Sequence, residues 1–213
     1  FALRKRTGQA LWLVSFDIEK AYDSIPWWAL FGVMRQAGVA REVVGVFEDF
    51  YHNLRRCFRY GQVDGGWWQA TNSLMQGCPA APDQLNILLE PFHRWAAAQG
   101  LGVPVAGRRV ASLSFADDVA LLGSSQAEVV TLVGAYLRWC GLLGLRVTKM
   151  QAWANTGAGQ ELHVGALVLR TSPTFRMVGI VLGEDAALAS NAHFEGRLKA
   201  ALSTLQRLRT LEA

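Results

Sequence analysis

Leu113-Ser114-Phe115-Ala116-Asp117-Asp118-Val119-Ala120-Leu121-Leu122 sets two adjacent carboxylates between apolar, strand-like residues. Side by side the two charges repel, and flanking strands pull them toward low dielectric, so the pair is unfavourable unless cations join it. The stretch therefore reads as a hairpin with Asp117 and Asp118 at or near its tip. Carboxylate oxygens placed there suit Mg²⁺, which keeps some of its waters and also binds substrate phosphates.

Working outward, Ala10-Leu-Trp-Leu-Val-Ser-Phe16 is too short for a helix and reads as a buried strand ending at Asp17. Ser24-Ile25-Pro26 opens a helix that stops at Gly38, and a second amphipathic helix runs from about Arg41 to Leu54. Arg55 to Tyr60 and Trp67 to Thr71, joined through Gly61, Gly65 and Gly66, read as a hairpin. Gln76-Gly-Cys-Pro79 with Pro82 forms a loop, and Asp83 to Gln99 a helix, which Gly100, Gly102, Pro104 and Gly107 end.

A further helix is expected from Gln126 to Leu143. Strand-like runs follow at Leu162 to Leu169 and Phe175 to Leu182, then a basic helix from about Ala189 to Leu211. Strands and helices mix without strict βαβ alternation, which predicts an α+β sandwich with helices on one sheet face. Asp17 and Asp117, about a hundred residues apart, can meet only through that fold.

The chain has 213 residues, 51% hydrophobic and 18% charged, enough for one or two domains with a sizeable core. Its net charge of +4 and its arginine clusters fit a polyanionic partner, although any one cluster taken alone reads rather as an ordinary solvated face. Cys57, Cys78 and Cys140 are odd in number and lack Cys-x-x-Cys spacing, which argues against zinc and disulfides and for a reducing, intracellular setting. The apolar run at Ala10 is too short for a signal peptide, and Arg138 interrupts the longest apolar stretch, so no membrane span is expected. The first residue is Phe1 rather than Met, which suggests an excerpt of a longer reading frame.

Three segments stand in order: Phe16-Asp-Ile-Glu-Lys-Ala-Tyr-Asp23, Gln76-Gly-Cys-Pro-Ala-Ala-Pro82 and Phe115-Ala-Asp-Asp118. Together they resemble the palm motifs of reverse transcriptases, nearest to the non-LTR, LINE-type retrotransposon enzymes and related to those of group II introns. The resemblance covers almost the whole chain. It implies a palm with an antiparallel sheet backed by helices and partial fingers over residues 1–183, and the start of a thumb helix over 184–213. It also implies further finger segments upstream of Phe1.

By that resemblance Asp17, Asp117 and Asp118 are the catalytic carboxylates, Asp17 and Asp117 as the two that hold both metals and Asp118 as the supporting second carboxylate of the hairpin. They would hold two Mg²⁺ ions, with Mn²⁺ as a substitute, for transfer of dNTPs onto a primer 3′-hydroxyl. Tyr22 would close the sugar pocket against a ribose 2′-hydroxyl. Gln76 and Gly77 would position the incoming nucleotide and template, and Lys149 would stand near the triphosphate. Arg197, Lys199, Arg207 and Arg209 would contact duplex phosphates without reading sequence. The implied partners are an RNA template, a DNA primer and dNTPs, with no organic cofactor and no membrane; oligomeric state is left open.

For single residues the plainer readings are a packed aromatic for Tyr22, a surface lysine for Lys149 and a structural residue for Asn86. Asp23 reads as a local cap or support near the Pro26 helix. The tryptophans, including Trp27-Trp28 and Trp67-Trp68, read mainly as core and interface packing. Phe175-Arg-Met-Val-Gly179 resembles the primer-grip turn of the family, with Met177-Val178 in place of its usual pair. Ala81 departs from the usual Ser, and with the altered Lys149 region it keeps open a second function: a palm that binds nucleic acid without polymerising. An RNA-dependent RNA polymerase is a third choice, disfavoured because those palms prefer Gly where this chain has Ala116.

Overall fold

The computed structural model describes residues 8–177 and 180–183. In chain order the elements are β1 (Trp12–Ile18), α1 (Ala21–Ser24), α2 (Trp27–Gln36), α3 (Arg41–Asn53), β2 (Arg55–Arg56), β3 (Arg59–Tyr60), β4 (Val63–Asp64) and β5 (Trp68–Gln69). Then come α4 (Ala81–Ala98), β6 (Val103–Val105), β7 (Arg108–Val110), β8 (Ser112–Phe115), β9 (Asp118–Gly123), α5 (Gln126–Leu142) and β10 (Val147–Ala154). β11 (Glu161–Val164), β12 (Leu167–Arg170), β13 (Thr174–Met177) and β14 (Ile180–Gly183) complete the series.

The centre is a four-stranded sheet in the order β10-β1-β9-β8, with every neighbouring pair antiparallel. Side chains alternate between its faces, as pleated geometry requires. Trp12, Val14, Phe16 and Ile18 of β1, Val119 and Leu121 of β9, and Ala152 and Ala154 of β10 point into one core. That core is closed by Leu30, Phe31 and Met34 of α2, Leu85, Leu88 and Phe92 of α4, and Val129, Leu132 and Tyr136 of α5. Leu11, Leu13, Ala120, Leu122 and Trp153 point the other way, into a smaller cluster with Val103 and Phe175. The expected α+β arrangement with helices on one sheet face is therefore present.

Local chemistry explains the boundaries. Ser125 caps α5, its hydroxyl accepting from the Glu128 amide at 3.2 Å, while the Glu128 carboxylate accepts from the Ser124 amide at 2.7 Å. α2 starts directly after Pro26, which occupies its N-cap, and α4 carries Pro82 in its first turn. Pro82 thus belongs to the helix and not to the preceding loop, because a proline there loses no hydrogen bond that the first turn would make.

Several expectations are corrected. β10 was not anticipated: in Val147-Thr-Lys-Met-Gln-Ala-Trp-Ala154 the adjacent polar pair Thr148-Lys149 breaks the alternation that would mark a half-buried strand. The run Leu162 to Leu169 is not one strand but the hairpin β11–β12, turned at Gly165 with φ 59, which favours glycine. Phe175 to Leu182 is likewise a hairpin, β13–β14, and β6–β7 is a hairpin where only chain breakers were read. Cys57, Cys78 and Cys140 are free, as expected. Among the described residues no helix is long and apolar enough to cross a membrane.

Candidate active site

β1 and β9 bring the carboxylates together. Their register pairs Ser15 with Ala120 and Phe16 with Val119. One further step sets Asp17 opposite Asp118, and both lie on the sheet face away from the helices, since Phe16 and Val119 point into the helical core. Asp117 occupies the turn between Phe115 and Asp118, which pair with each other across β8 and β9. That turn is tight and strained: Ala116 has φ 53, a left-handed conformation that costs a residue with a Cβ.

On the other side of β1, Asp17 pairs with Lys149 of β10, and the register slips between Asp17 and Ile18, which pairs with Val147. Thr148 is the extra residue of this bulge, its hydroxyl donating to the Asp17 carbonyl at 3.4 Å. Bulges of this kind re-aim a side chain beside a functional site. Lys149 Nζ lies 3.2 Å from Asp17 Oδ2.

These side chains face an open cleft of about 710 Å³ lined by Asp17, Asp118, Lys149, Gln151, Arg176 and Met177 among others. Gln151 fastens its rim, its amide donating to the Thr174 carbonyl at 2.8 Å while its oxygen accepts from the Arg176 amide at 3.1 Å. Gln151 and Arg176 were not singled out from sequence. Gln151 stands two positions after Lys149 on the same strand face, so recognising β10 as a strand would have found it.

The cleft's electrostatics bear on a cation. Burial raises the Asp118 carboxyl above the ordinary aspartate range, and the charges of Asp117 and then Asp17 raise it further. Acidic oxygens in mutual repulsion, with a lysine already drawn to one of them, form a donor set suited to a hard divalent cation. Among the described residues no three His, Cys, Asp or Glu side chains are yet gathered as a metal-holding cluster. Asp17 and Asp118 line the cleft, and Asp117 sits at its adjoining turn.

Tyr22, Gln76 and Gly77 belong to a neighbouring layer and do not line this cleft. Tyr22, in α1, is half-buried against the core, and its carbonyl accepts from the Leu74 amide. Ser73 donates to the Ile25 carbonyl at 2.9 Å, and the Trp27 indole donates to the Ser73 carbonyl at 2.7 Å. These bonds tie the approach to Gln76 onto the segment that follows Asp17. Gln76 and Gly77 are exposed; Gly77 has φ 85 with no atom crowding its missing Cβ, so conformation within the chain is what calls for glycine there. Asn86 lies exposed on α4.

Asp23 does not cap α2, which has no side-chain cap; its carboxylate instead faces Arg56 at 4.0 Å. The tryptophans divide: Trp27 is buried in the core, whereas Trp28, Trp67 and Trp68 are exposed. Arg197, Lys199, Arg207 and Arg209 lie outside the described residues.

A family model described as "Reverse transcriptase (RNA-dependent DNA polymerase)" matches residues 2–182. The chain is 26% identical over 188 residues to a "Retrovirus-related Pol polyprotein from type-1 retrotransposable element R2" of Popillia japonica, covering 83% of this chain and 29% of that protein. It is 19% identical over 157 residues to the corresponding protein of the type-2 element R2DM of Drosophila melanogaster, covering 71% and 14%. The chain thus spans less than a third of the length of these curated relatives. Among solved structures, apo telomerase from Candida tropicalis superposes with a TM-score of 0.59 at 15% identity, over 85% of this chain and 36% of that one. At that identity the likeness establishes the fold, that of a polymerase palm.

Proposed function

The chain belongs to the reverse transcriptase family, and from that premise we propose that it is the RNA-directed DNA polymerase domain of a non-LTR retroelement, extending a primer with dNTPs on an RNA template. One observation carries the reading: strands far apart in sequence deliver Asp17 and Asp118 to one cleft, with Asp117 at the turn beside it. Residues 1–183 act as palm with part of the fingers, and 184–213 as the start of the thumb, where Arg197, Lys199, Arg207 and Arg209 track duplex phosphates.

Asp17 and Asp118, with Asp117, would hold the divalent cations, Mg²⁺ or Mn²⁺. When bound, these neutralise phosphate charge and favour ionisation of the primer 3′-hydroxyl. The protein's own share is positioning, which dominates phosphoryl transfer. The β1–β9 register fixes the spacing of two carboxylates before substrate arrives, and burial of Phe16 and Val119 behind them keeps it. Lys149, once released from Asp17, turns its ammonium to the triphosphate and donates a proton to the leaving pyrophosphate. Arg176 on the facing rim adds positive charge where a primer phosphate enters. Tyr22, Gln76 and Gly77, fastened to the segment after Asp17, select the sugar and seat the base.

A second reading, a palm that binds nucleic acid without polymerising, draws on Ala81 and on the altered Lys149 region, where the lysine is drawn to Asp17. Primer extension by the full protein with Mg²⁺, dNTPs and an RNA template separates the two. Incorporation that collapses in Asp117→Ala supports the polymerase. Duplex binding with no Mg²⁺-dependent incorporation supports the second reading.

A further inference from the structure

α3 is held to the protein along one side. Val44 and Tyr51 are its buried residues, and Tyr51 fastens it to α4, its hydroxyl donating to the side-chain oxygen of buried Gln84 at 2.8 Å. On another side Val43 is 45% exposed, Val46 68% and Phe50 42%. Spaced by three and then four residues, these form a continuous apolar stripe on one helix face. Phe50 is fixed within it, its ring edge-on to that of Tyr51 at 5.4 Å. None of the three packs into either core cluster or lines the carboxylate cleft. Apolar side chains grouped in water without a packing role mark a contact surface.

The spacing is that of a seam between two helices. Written as a heptad, Val43 and Phe50 take position a and Val46 position d, which puts Glu42 and Asp49 both at position g. Charges at e and g decide which partner helix is accepted. Neither carboxylate has a cationic partner among the described residues. Arg35 is taken by Glu48, which points away from the seam, and Asp49 accepts from the neutral Asn53 amide at 2.9 Å. Glu42 in the first turn also suits the helix dipole, whereas Asp49 lies too far along for that role. An apolar seam with an acidic border thus stands on a chain of net charge +4.

We propose that this face binds a basic amphipathic helix of a separate protein, apolar at a and d and carrying lysine or arginine where it meets Glu42 and Asp49. The acidic border decides against other occupants. A phosphate backbone or an anionic lipid surface is repelled by the two carboxylates. A second copy of α3 fits no better: antiparallel pairing sets g against g, acid on acid, and parallel pairing sets Glu42 against the apolar Phe47. A wholly apolar helix leaves both carboxylates unanswered. The proposal is independent of the polymerase reading, because no residue of the seam lines the carboxylate cleft.

The test titrates the full protein, in EDTA, with two synthetic helical peptides of roughly three heptads, both with leucine at a and d, one with lysine and the other with glutamate at e and g. The lysine peptide is expected to bind at least about tenfold more tightly than the glutamate peptide, and Glu42→Lys/Asp49→Lys to reverse that order. Val46→Asp is expected to weaken the lysine peptide about tenfold while leaving the melting temperature and Mg²⁺-dependent incorporation at the parent's values. Failure of the lysine peptide to bind overturns the proposal, and a melting temperature lowered by Val46→Asp then assigns the seam to another part of the same protein. Lysine-peptide affinity unchanged in Val46→Asp also overturns it, by placing the peptide on some other acidic site. Self-association of the parent that Val46→Asp abolishes, read by sedimentation, overturns it in favour of a second copy.

Discussion

Lys149 Nζ stands 3.2 Å from Asp17 Oδ2 across the β1–β10 ladder, so the lysine proposed to face the triphosphate is held by a carboxylate proposed to face the metal. The lysine side chain is 82% exposed, and ion pairs of that kind contribute about 0–1 kcal/mol to stability. Lys149→Met should therefore change the free energy of urea unfolding by under ~1 kcal/mol while slowing single-turnover incorporation by about a hundredfold. An unchanged rate would return Lys149 to the status of a surface residue.

Asp118 gives a pH signature. Its carboxyl is raised by burial first, then by Asp117 and Asp17, so the folded state holds its proton more tightly than the unfolded chain does. A raised folded value means a stabilising contribution that is complete below the ordinary aspartate range, near about 3.9, and is lost as pH climbs through the raised value. Asp118→Asn cannot lose it. In EDTA the variant should melt above the parent at about pH 7, with the gap closing below about pH 4. Equal melting temperatures at neutral pH would contradict the crowding of charge in the cleft.

Phe16 links the core to the site. Its ring is 2% exposed and lies 4.7 Å from that of Tyr136, while the next residue is Asp17. Phe16→Ala should destabilise the fold by about 3–5 kcal/mol, and Phe16→Leu by well under that, as read by chemical denaturation. If Phe16→Ala is nearly neutral, β1 is not fixed as described.

The turn before the two aspartates stores strain. Ala116 holds φ 53, and glycine would remove the Cβ clash at some cost in unfolded-chain entropy. Ala116→Gly is expected to stabilise by about 0.5–1 kcal/mol in thermal denaturation. A loss of stability would mean that the turn is not strained as described.

Much of this was legible in the chain because it was local. The apolar run into Asp17, the capped start of α5 at Ser125 and the apolar flanks of Asp117-Asp118 each carry their own signal. β10 did not, since its outward residues Thr148 and Lys149 are polar and its inward ones gain meaning only beside β1. Neither did the pairing of Lys149 with Asp17, which depends on a long-range register and a bulge. Nor did the exposure of Trp67 and Trp68: whether an aromatic residue of a hairpin is packed or left in water is decided by tertiary structure.

The most direct test of the account is Mg²⁺-dependent incorporation of dNTPs on an RNA template by the full protein, compared with Asp17→Asn. The two carboxylates are proposed to act as one cation-holding unit, so removing Asp17 alone should lower the rate by at least about a thousandfold, while oligonucleotide binding in EDTA stays at the parent's level. Incorporation by Asp17→Asn at the parent's rate would contradict it.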